Sequence, residues 1–209
     1  MRKLAIALLF GLVVSMFAMA YADETQHEIA SSVVRLHIVA NSDSDGDQAV
    51  KLKVRDAIIE EFSDCLQAAQ SPAQAEQIMQ DNLGRAVETA NRVLKENGFS
   101  YRAQASIGEA HFPVKHYENI TLPPGNYRAL RIVLGSGSGQ NWWCVMYPPL
   151  CFTGSVEGSA SQESQDTLKS SLGEENYALI TDGADEDGDL PVQFKFKILE
   201  IFDSLFAGE

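Results

Sequence analysis

The chain has 209 residues, of which 22% are charged, and its 16 Lys and Arg against 29 Asp and Glu give a net charge of −13. No basic patch exists to displace counterions, which argues against a nucleic-acid partner and against electrostatic docking on anionic lipid. One domain, with at most an appendage, fits this length.

The first residues read as an export signal. Arg2 and Lys3 form a positive start, and residues 4–19 are almost uninterruptedly apolar. Ala18-Met19-Ala20 and Ala20-Tyr21-Ala22 are small-x-small cleavage patterns, and cleavage is expected after Ala22. The alternative is an uncleaved membrane anchor, for which the apolar run is somewhat short against a full span of ~20 residues; no second apolar run is long enough to cross a membrane, so no stable insertion is expected after cleavage. Losing Arg2 and Lys3 leaves 14 bases against 29 acids, a net −15.

Residues 32–40 are apolar and β-branched and predict a well-buried strand. After Asn41 the chain breaks. Ser44 is placed to cap a helix, with Asp47 reaching back from the third position. Val50, Val54, Ile58, Phe62 and Leu66 then recur every four residues to about Ala69. Ser71-Pro72-Ala73-Gln74 is a second start signal, followed by a helical stripe through Met79, Ala86 and Val93 to a stop at Asn97-Gly98. The short junction makes the two helices an antiparallel hairpin.

Beyond Gly98 the period changes to two. Strands are expected over residues 101–108, 127–134 and 142–147, with a turn at Leu122-Pro123-Pro124-Gly125. The 127–134 strand has one wholly apolar face and belongs in the sheet interior. Gly135-Ser136-Gly137-Ser138-Gly139 is expected to close a hairpin between the last two strands. It lacks the Lys and the following helix of a phosphate loop. Residues 153–190 hold ten acids and one base, with few apolar residues, and read as an acidic low-complexity linker, mostly disordered. Residues 191–209 turn apolar again and should dock as a C-terminal helix on the main domain, residues 23–152. The fold class is α+β: an antiparallel-rich sheet with a helical hairpin and a C-terminal helix on one face.

Asn141 to Phe152 contains both tryptophans and two of the three cysteines. Adjacent strand residues point to opposite faces, so one of Trp142 and Trp143 packs inward and the other meets solvent or a partner. An exposed Trp is a common interface anchor. Cys144 and Cys151 are the natural disulfide pair of an exported chain, since the intervening Pro148-Pro149 turns the chain back. Cys65 sits at an apolar helical position and reads as a core thiol.

The alternative is an extracytoplasmic hydrolase of cell wall or peptide using Cys144 or His37. No nucleophile-elbow pattern accompanies either residue, and a disulfide would leave Cys144 no thiolate. No metal is expected. His111 and His116 lack zinc spacing, and the Asp43-Asp45-Asp47 and Asp185-Asp187-Asp189 runs lack the sixth-position Gly and twelfth-position Glu of a calcium loop. No cofactor signature is present. Arg35 and His37 share a strand face, and with Asn41 and Asp43 at the strand end they form a candidate polar patch. Lys51, Arg55 and Asp56 on the following helix would extend it.

Three runs of residues carry a resemblance. They are Arg35-Leu36-His37-Ile38-Val39-Ala40-Asn41-Ser42-Asp43, the segment from Leu122 through Gly125 and Tyr127 to Ile132, and Gly139-Gln140-Asn141-Trp142-Trp143-Cys144-Val145 with Pro148-Pro149-Leu150-Cys151. Together they resemble the stage II sporulation protein R family, over about residues 32–152 and the apolar C-terminal segment. Asp45-Gly46 stands where that pattern has a better helix-start pair. The resemblance implies a signalling protein of endospore formers, secreted by the forespore into the space between the forespore and mother-cell membranes. There it would activate a membrane-embedded aspartic peptidase, stage II sporulation protein GA, which cleaves the pro-sequence of sigma-E. The family protein would be a ligand and not an enzyme. Partner-contacting residues are expected among Arg35, His37, Asn41, Asp43, Trp142, Trp143, Pro148 and Pro149.

Overall fold

The computed structural model describes residues 2–117, 120–150 and 162–181. Helix α1 (Arg2–Ser31) is followed by strand β1 (Val34–Val39), helices α2 (Asp45–Gln67), α3 (Pro72–Asp81) and α4 (Leu83–Glu96), then β2 (Ala103–Phe112), β3 (Lys115–Tyr117), β4 (Ile120–Leu122), β5 (Gly125–Leu134), β6 (Asn141–Tyr147) and α5 (Gln162–Thr181). The class is α+β.

α1 runs unbroken from the apolar start into the domain. Leu8–Ser31 is long and apolar enough to cross a membrane, and side chains such as Leu8, Leu12 and Phe17 are exposed. Its last turns change character: Thr25, Ile29 and Ala30 are buried against the domain. The first stretch fits a signal sequence, and the last is part of the folded body.

Ser44 caps α2 by accepting from the Asp47 N–H, and Ser71 caps α3 by accepting from the Gln74 N–H. Each cap satisfies one of the donors a helix start leaves open. The Asp47 side chain does not reach back as expected. It turns to Asn41, Ser42 and Tyr101, and the Ser44 N–H goes to Ser42 Oγ instead. The α2 stripe of Val50, Val54, Ile58, Phe62 and Leu66 is fully buried; each such side chain contributes ~1.5–3 kcal/mol by leaving water. The expected second helix is two. Asn82 stops α3, its Nδ2 donating to the Ile78 carbonyl, and α4 restarts at Leu83. A short polar side chain that bonds its own backbone competes with the helix ladder at that point. Gly98, at φ 81°, follows α4 in the left-handed conformation glycine allows.

The main sheet has the order β2-β5-β1-β6. β2 pairs with β5 and β6 with β1 antiparallel, while β1 pairs with β5 parallel. The sheet is therefore mixed, though antiparallel-rich. The expected β5–β6 hairpin does not form, because β1 lies between the two strands. All six residues of β1 are buried, so the centre of the sheet is where it removes most apolar surface from water. The glycine run carries the chain over the end of β1 instead: Ser138 N–H donates to the Asn41 carbonyl and Gly139 N–H to the Ala40 carbonyl. A Cβ at Gly139 would run into the Ser42 carbonyl, so the crossing needs glycine.

α2, α3 and α4 cover one face of the sheet through Leu36, Ile38, Leu130, Ile132 and Cys144. The other face packs Tyr127, Ala129 and Val145 against Ile29 and Val33, the β3–β4 ribbon, and Leu168 and Leu172 of α5. Helices thus lie on both faces. The expectation of a structureless linker over 153–190 fails for Gln162–Thr181, which forms α5, bent at Gly173 (φ 77°). Its Leu168, Leu172, Leu179 and Ile180 are buried. Residues 153–161, residues 182–190 and the expected C-terminal helix at 191–209 lie outside the described residues.

Candidate partner-binding site

The expected patch resolves into three clusters on different parts of the sheet. Alternation along β1 and β6 separates them.

The first lies on the face opposite α2–α4. Arg35 is fully buried there, with 0% exposure. Its guanidinium sits 4.0 Å from the Phe112 ring centroid, 4.7 Å from Tyr127 and 5.9 Å from Tyr117, and its Nη2 donates to Tyr117 Oη at 2.6 Å. No carboxylate pairs with it among the described residues. Nε and Nη1 have no hydrogen-bond partner among the described residues, and the guanidinium is surrounded by the Phe112, Tyr127 and Tyr117 rings. Ring faces attract a desolvated cation by ~2 kcal/mol each at best. Burial pushes Tyr127 up to about 12, against the opposing pull of the Arg35 charge.

Beside it, His37 stacks on Trp143 with centroids 3.9 Å apart and planes 13° from parallel, and Phe112 meets the indole at 4.7 Å. His37 Nε2 lies 2.7 Å from Asn141 Oδ1, so the ring is placed to donate there, while Nδ1 is buried and unpaired. Burial lowers the His37 pKa, the Asn141 hydrogen bond opposes this, and the Arg131 charge adds to the lowering.

The second cluster is on the helical face. Trp142 is half-buried there, and Arg55 of α2 lies over its ring at 4.4 Å. Arg55 pairs with Asp56 at 2.6 Å. Arg55 and Asp56 of the helix row thus join Trp142, and neither Arg35 nor His37; Lys51 goes to the end of β1. Trp142 and Trp143 do point to opposite faces, but both are half-buried; neither is wholly inward nor wholly free.

The third cluster is a clamp at the end of β1. Asn41 Oδ1 accepts from the Ser136 N–H and its Nδ2 donates to Asp47 Oδ2. Asp43 Oδ1 accepts from the Gln140 N–H at 2.8 Å, and Lys51 Nζ donates to the Gln140 carbonyl at 3.1 Å. The Asp47 carboxylate also accepts from Ser42 Oγ and Tyr101 Oη, both at 2.5 Å. Burial raises the Asp47 pKa, but hydrogen bonds from Ser42, Tyr101, Asn41 and Ser44 outweigh it and hold the carboxyl below its ordinary range. Asn41 and Asp43 therefore hold the glycine crossover in place.

Sequence reading missed Tyr117, Phe112, Tyr127, Tyr101 and Asp47 as members of these clusters. The one available signal was an arginine inside an apolar strand with no acid in its pattern, which demands an aromatic or distant polar neighbour. Pro148 is buried and joined to Tyr147 by a cis bond, and Pro149 is half-buried. Cys144 is buried against the helical core, whereas His37 faces the other side of the sheet. The two therefore do not form a Cys–His dyad. Cys65 is a half-buried free thiol. Cys151, the expected partner of Cys144, lies outside the described residues.

The family model for stage II sporulation protein R matches residues 30–157. Stage II sporulation protein R of Bacillus subtilis (strain 168) is 34% identical over 162 residues, covering 76% of this chain and 72% of that protein. The chain belongs to the stage II sporulation protein R family. No solved structure matches it. The matched span runs from the last turn of α1 through β6, so it contains all three clusters.

Proposed function

We propose that this member of the family is a secreted sporulation signal, exported by the forespore, that docks on the extracytoplasmic face of stage II sporulation protein GA and favours the state of that peptidase that cleaves pro-sigma-E. The membrane-length apolar helix at the start supports export. The observation that carries a ligand's role is the tryptophan pair. Trp142 is half-buried on the helical face with Arg55, itself paired to Asp56, over its ring, and Trp and Arg are residue types that anchor interfaces. Trp143, stacked on His37, sets the strand that presents it. Arg35, fully buried, acts by shaping this edge, while Asn41 and the exposed Asp43 hold the glycine crossover and supply the polar component of the contact.

Cys144 and Cys151 form the staple that closes the Pro148-Pro149 turn. Cys144 takes part in a disulfide while Cys65 is free, which supports that pairing. Activation requires tighter binding to the active state of the peptidase than to the resting one. The test is reconstitution: purified residues 23–209 added to membranes holding the peptidase and pro-sigma-E. The wild-type domain should trigger cleavage, and Trp142→Ala, folded normally, should need at least ~tenfold more protein. A folded Trp142→Ala domain with unchanged potency would overturn the anchor.

A further inference from the structure

β2 is an edge strand ten residues long, and β5 is its only partner among the described residues. The Arg102 carbonyl accepts from the Gly135 N–H, so Arg102 faces β5. In an antiparallel ladder the facing residues alternate. Gln104, Ser106, Gly108 and Ala110 therefore turn their backbone groups toward β5, and Ala103, Ala105, Ile107, Glu109 and His111 turn theirs outward. The Ala103 N–H is taken by Asn91 Oδ1 of α4. The four that follow, spaced two apart, have no such cover among the described residues, leaving about 20 Å of open edge from Ala105 to His111 at ~3.3 Å per residue.

Exposed edges are ordinarily blunted by Lys, Pro or a bulge. This one has none of them: its register with β5 is continuous from Ala103 to Phe112, and Glu109 is its sole formal charge. The open edge ends at a groove of ≈ 640 Å³. Glu109 and His111 line one side, Asn126 and Arg128 of β5 continue it, and Asp23 and His27 of α1 form the far wall. Arg128 pairs with Glu76 and also feels the charge of Glu109, its cross-strand partner; Asp23 and Glu109 are the two acids lining the groove.

We propose that β2 is a strand-addition site: an extended segment of the peptidase partner pairs with the outward backbone of Ala105, Ile107, Glu109 and His111 and sets a Lys or Arg side chain into the groove against Glu109 and Asp23. Main-chain pairing supplies affinity in this mode, and the side-chain pocket supplies specificity. Charge selects this occupant over a second copy of the chain, because two copies of a chain of net −13 repel each other on approach. The proposal rests on the activator reading above.

Amide exchange on the unmodified domain tests the site. In the free protein the amides of Ala105, Ile107, Glu109 and His111 exchange faster than those of Gln104, Ser106, Gly108 and Ala110. Adding detergent-solubilised peptidase should slow those four at least about tenfold. Glu109→Pro removes an outward N–H and spares the β5 ladder; it should lose at least ~tenfold in triggering cleavage, and Glu109→Gln only a few-fold. Cleavage by the wild-type domain with the four amides still fast, or with Glu109→Pro fully active, overturns strand addition and leaves the activator reading intact. A wild-type domain that triggers no cleavage overturns the activator reading, and strand addition falls with it. A sedimenting dimer that Glu109→Pro abolishes makes a second copy the occupant and also overturns the proposal.

Discussion

Asp47 sits where three separate chain segments meet, and replacing it should loosen all three. Its carboxylate accepts from Asn41 Nδ2 at 2.9 Å and from Ser42 Oγ and Tyr101 Oη at 2.5 Å, while its own N–H is held by the Ser44 cap. Hydrogen bonds to a charged group contribute ~1.5–3 kcal/mol each. The three donors belong to half-buried residues, so water rescues part of the loss, and the low end of that range applies to each. Asp47→Ala should therefore cost about 4–5 kcal/mol, or roughly 8–20 °C in Tm for a domain of this size. Asp47→Asn keeps the shape but loses the charge, and should cost about 1.5–3 kcal/mol. The pH dependence has a definite sign. The folded carboxyl is held below its ordinary value of 3.8, so its contribution is complete above about pH 4 and is lost as the pH falls through the folded pKa. The gap between wild type and Asp47→Asn, measured by guanidinium unfolding at stepped pH, should be constant from pH 8 to 5 and close below pH 4. An Asn variant within ~0.5 kcal/mol of wild type at pH 7 would refute the clamp, as would a gap that persists unchanged to pH 3.

Tyr117→Phe removes the one hydrogen-bond acceptor of the buried Arg35 guanidinium and should cost about 1–3 kcal/mol in chemical denaturation; a neutral result would mean the aromatic faces alone suffice. Gly139→Ala pushes a methyl into the Ser42 backbone carbonyl and should cost about 1–3 kcal/mol, whereas Gly46→Ala, in the first turn of α2 with its nearest neighbour at 3.7 Å, should gain about 0.4–1 kcal/mol. Thermal melts of the pair compare the two directly. His37 is held neutral by burial, so its contribution is complete above about pH 6.5 and is lost as the pH falls from there through the folded pKa. Trp143 emission should titrate below pH 6.5 through the stacked ring, and His37→Gln should abolish that titration.

The helical half of the fold was legible because its signals are local. Ser44 and Ser71 announce their caps within four residues, and the Val50 to Leu66 stripe states its own period. The sheet order was not legible, because strand pairing is decided by segments far apart in the chain. Gly135 to Gly139 has the composition of a hairpin turn, and nothing nearby says that β1 will be inserted between the strands it joins. Asn82 failed for the opposite reason: its competition with the helix ladder is local but depends on a side-chain rotamer that spacing does not report. α5 was hidden by composition. Leu168, Leu172, Leu179 and Ile180 keep helical spacing, but the acids and serines around them lowered the mean apolar content to that of a linker.

The same alternation explains where the residues of the candidate patch lie. Residues 35, 37 and 143 do share a face, as a period of two requires, and the structure brings them together. What periodicity cannot say is whether that face is open. Here the β3–β4 ribbon and α5 close over it, and a guanidinium that read as a contact group becomes the centre of a core. Burying an arginine without a carboxylate is costly unless other groups accept its charge, and the four aromatic side chains of this face, Phe112, Tyr117, Tyr127 and Trp143, are where a sheet would collect such groups. At one edge of the sheet lies half-buried Trp142 with buried Arg55 and half-buried Asp56, and at the other the exposed Glu109 and His111. A signalling role for this domain is therefore expected to run through its edges, and substitutions at Arg35 should register first as lost stability and only then as lost signal.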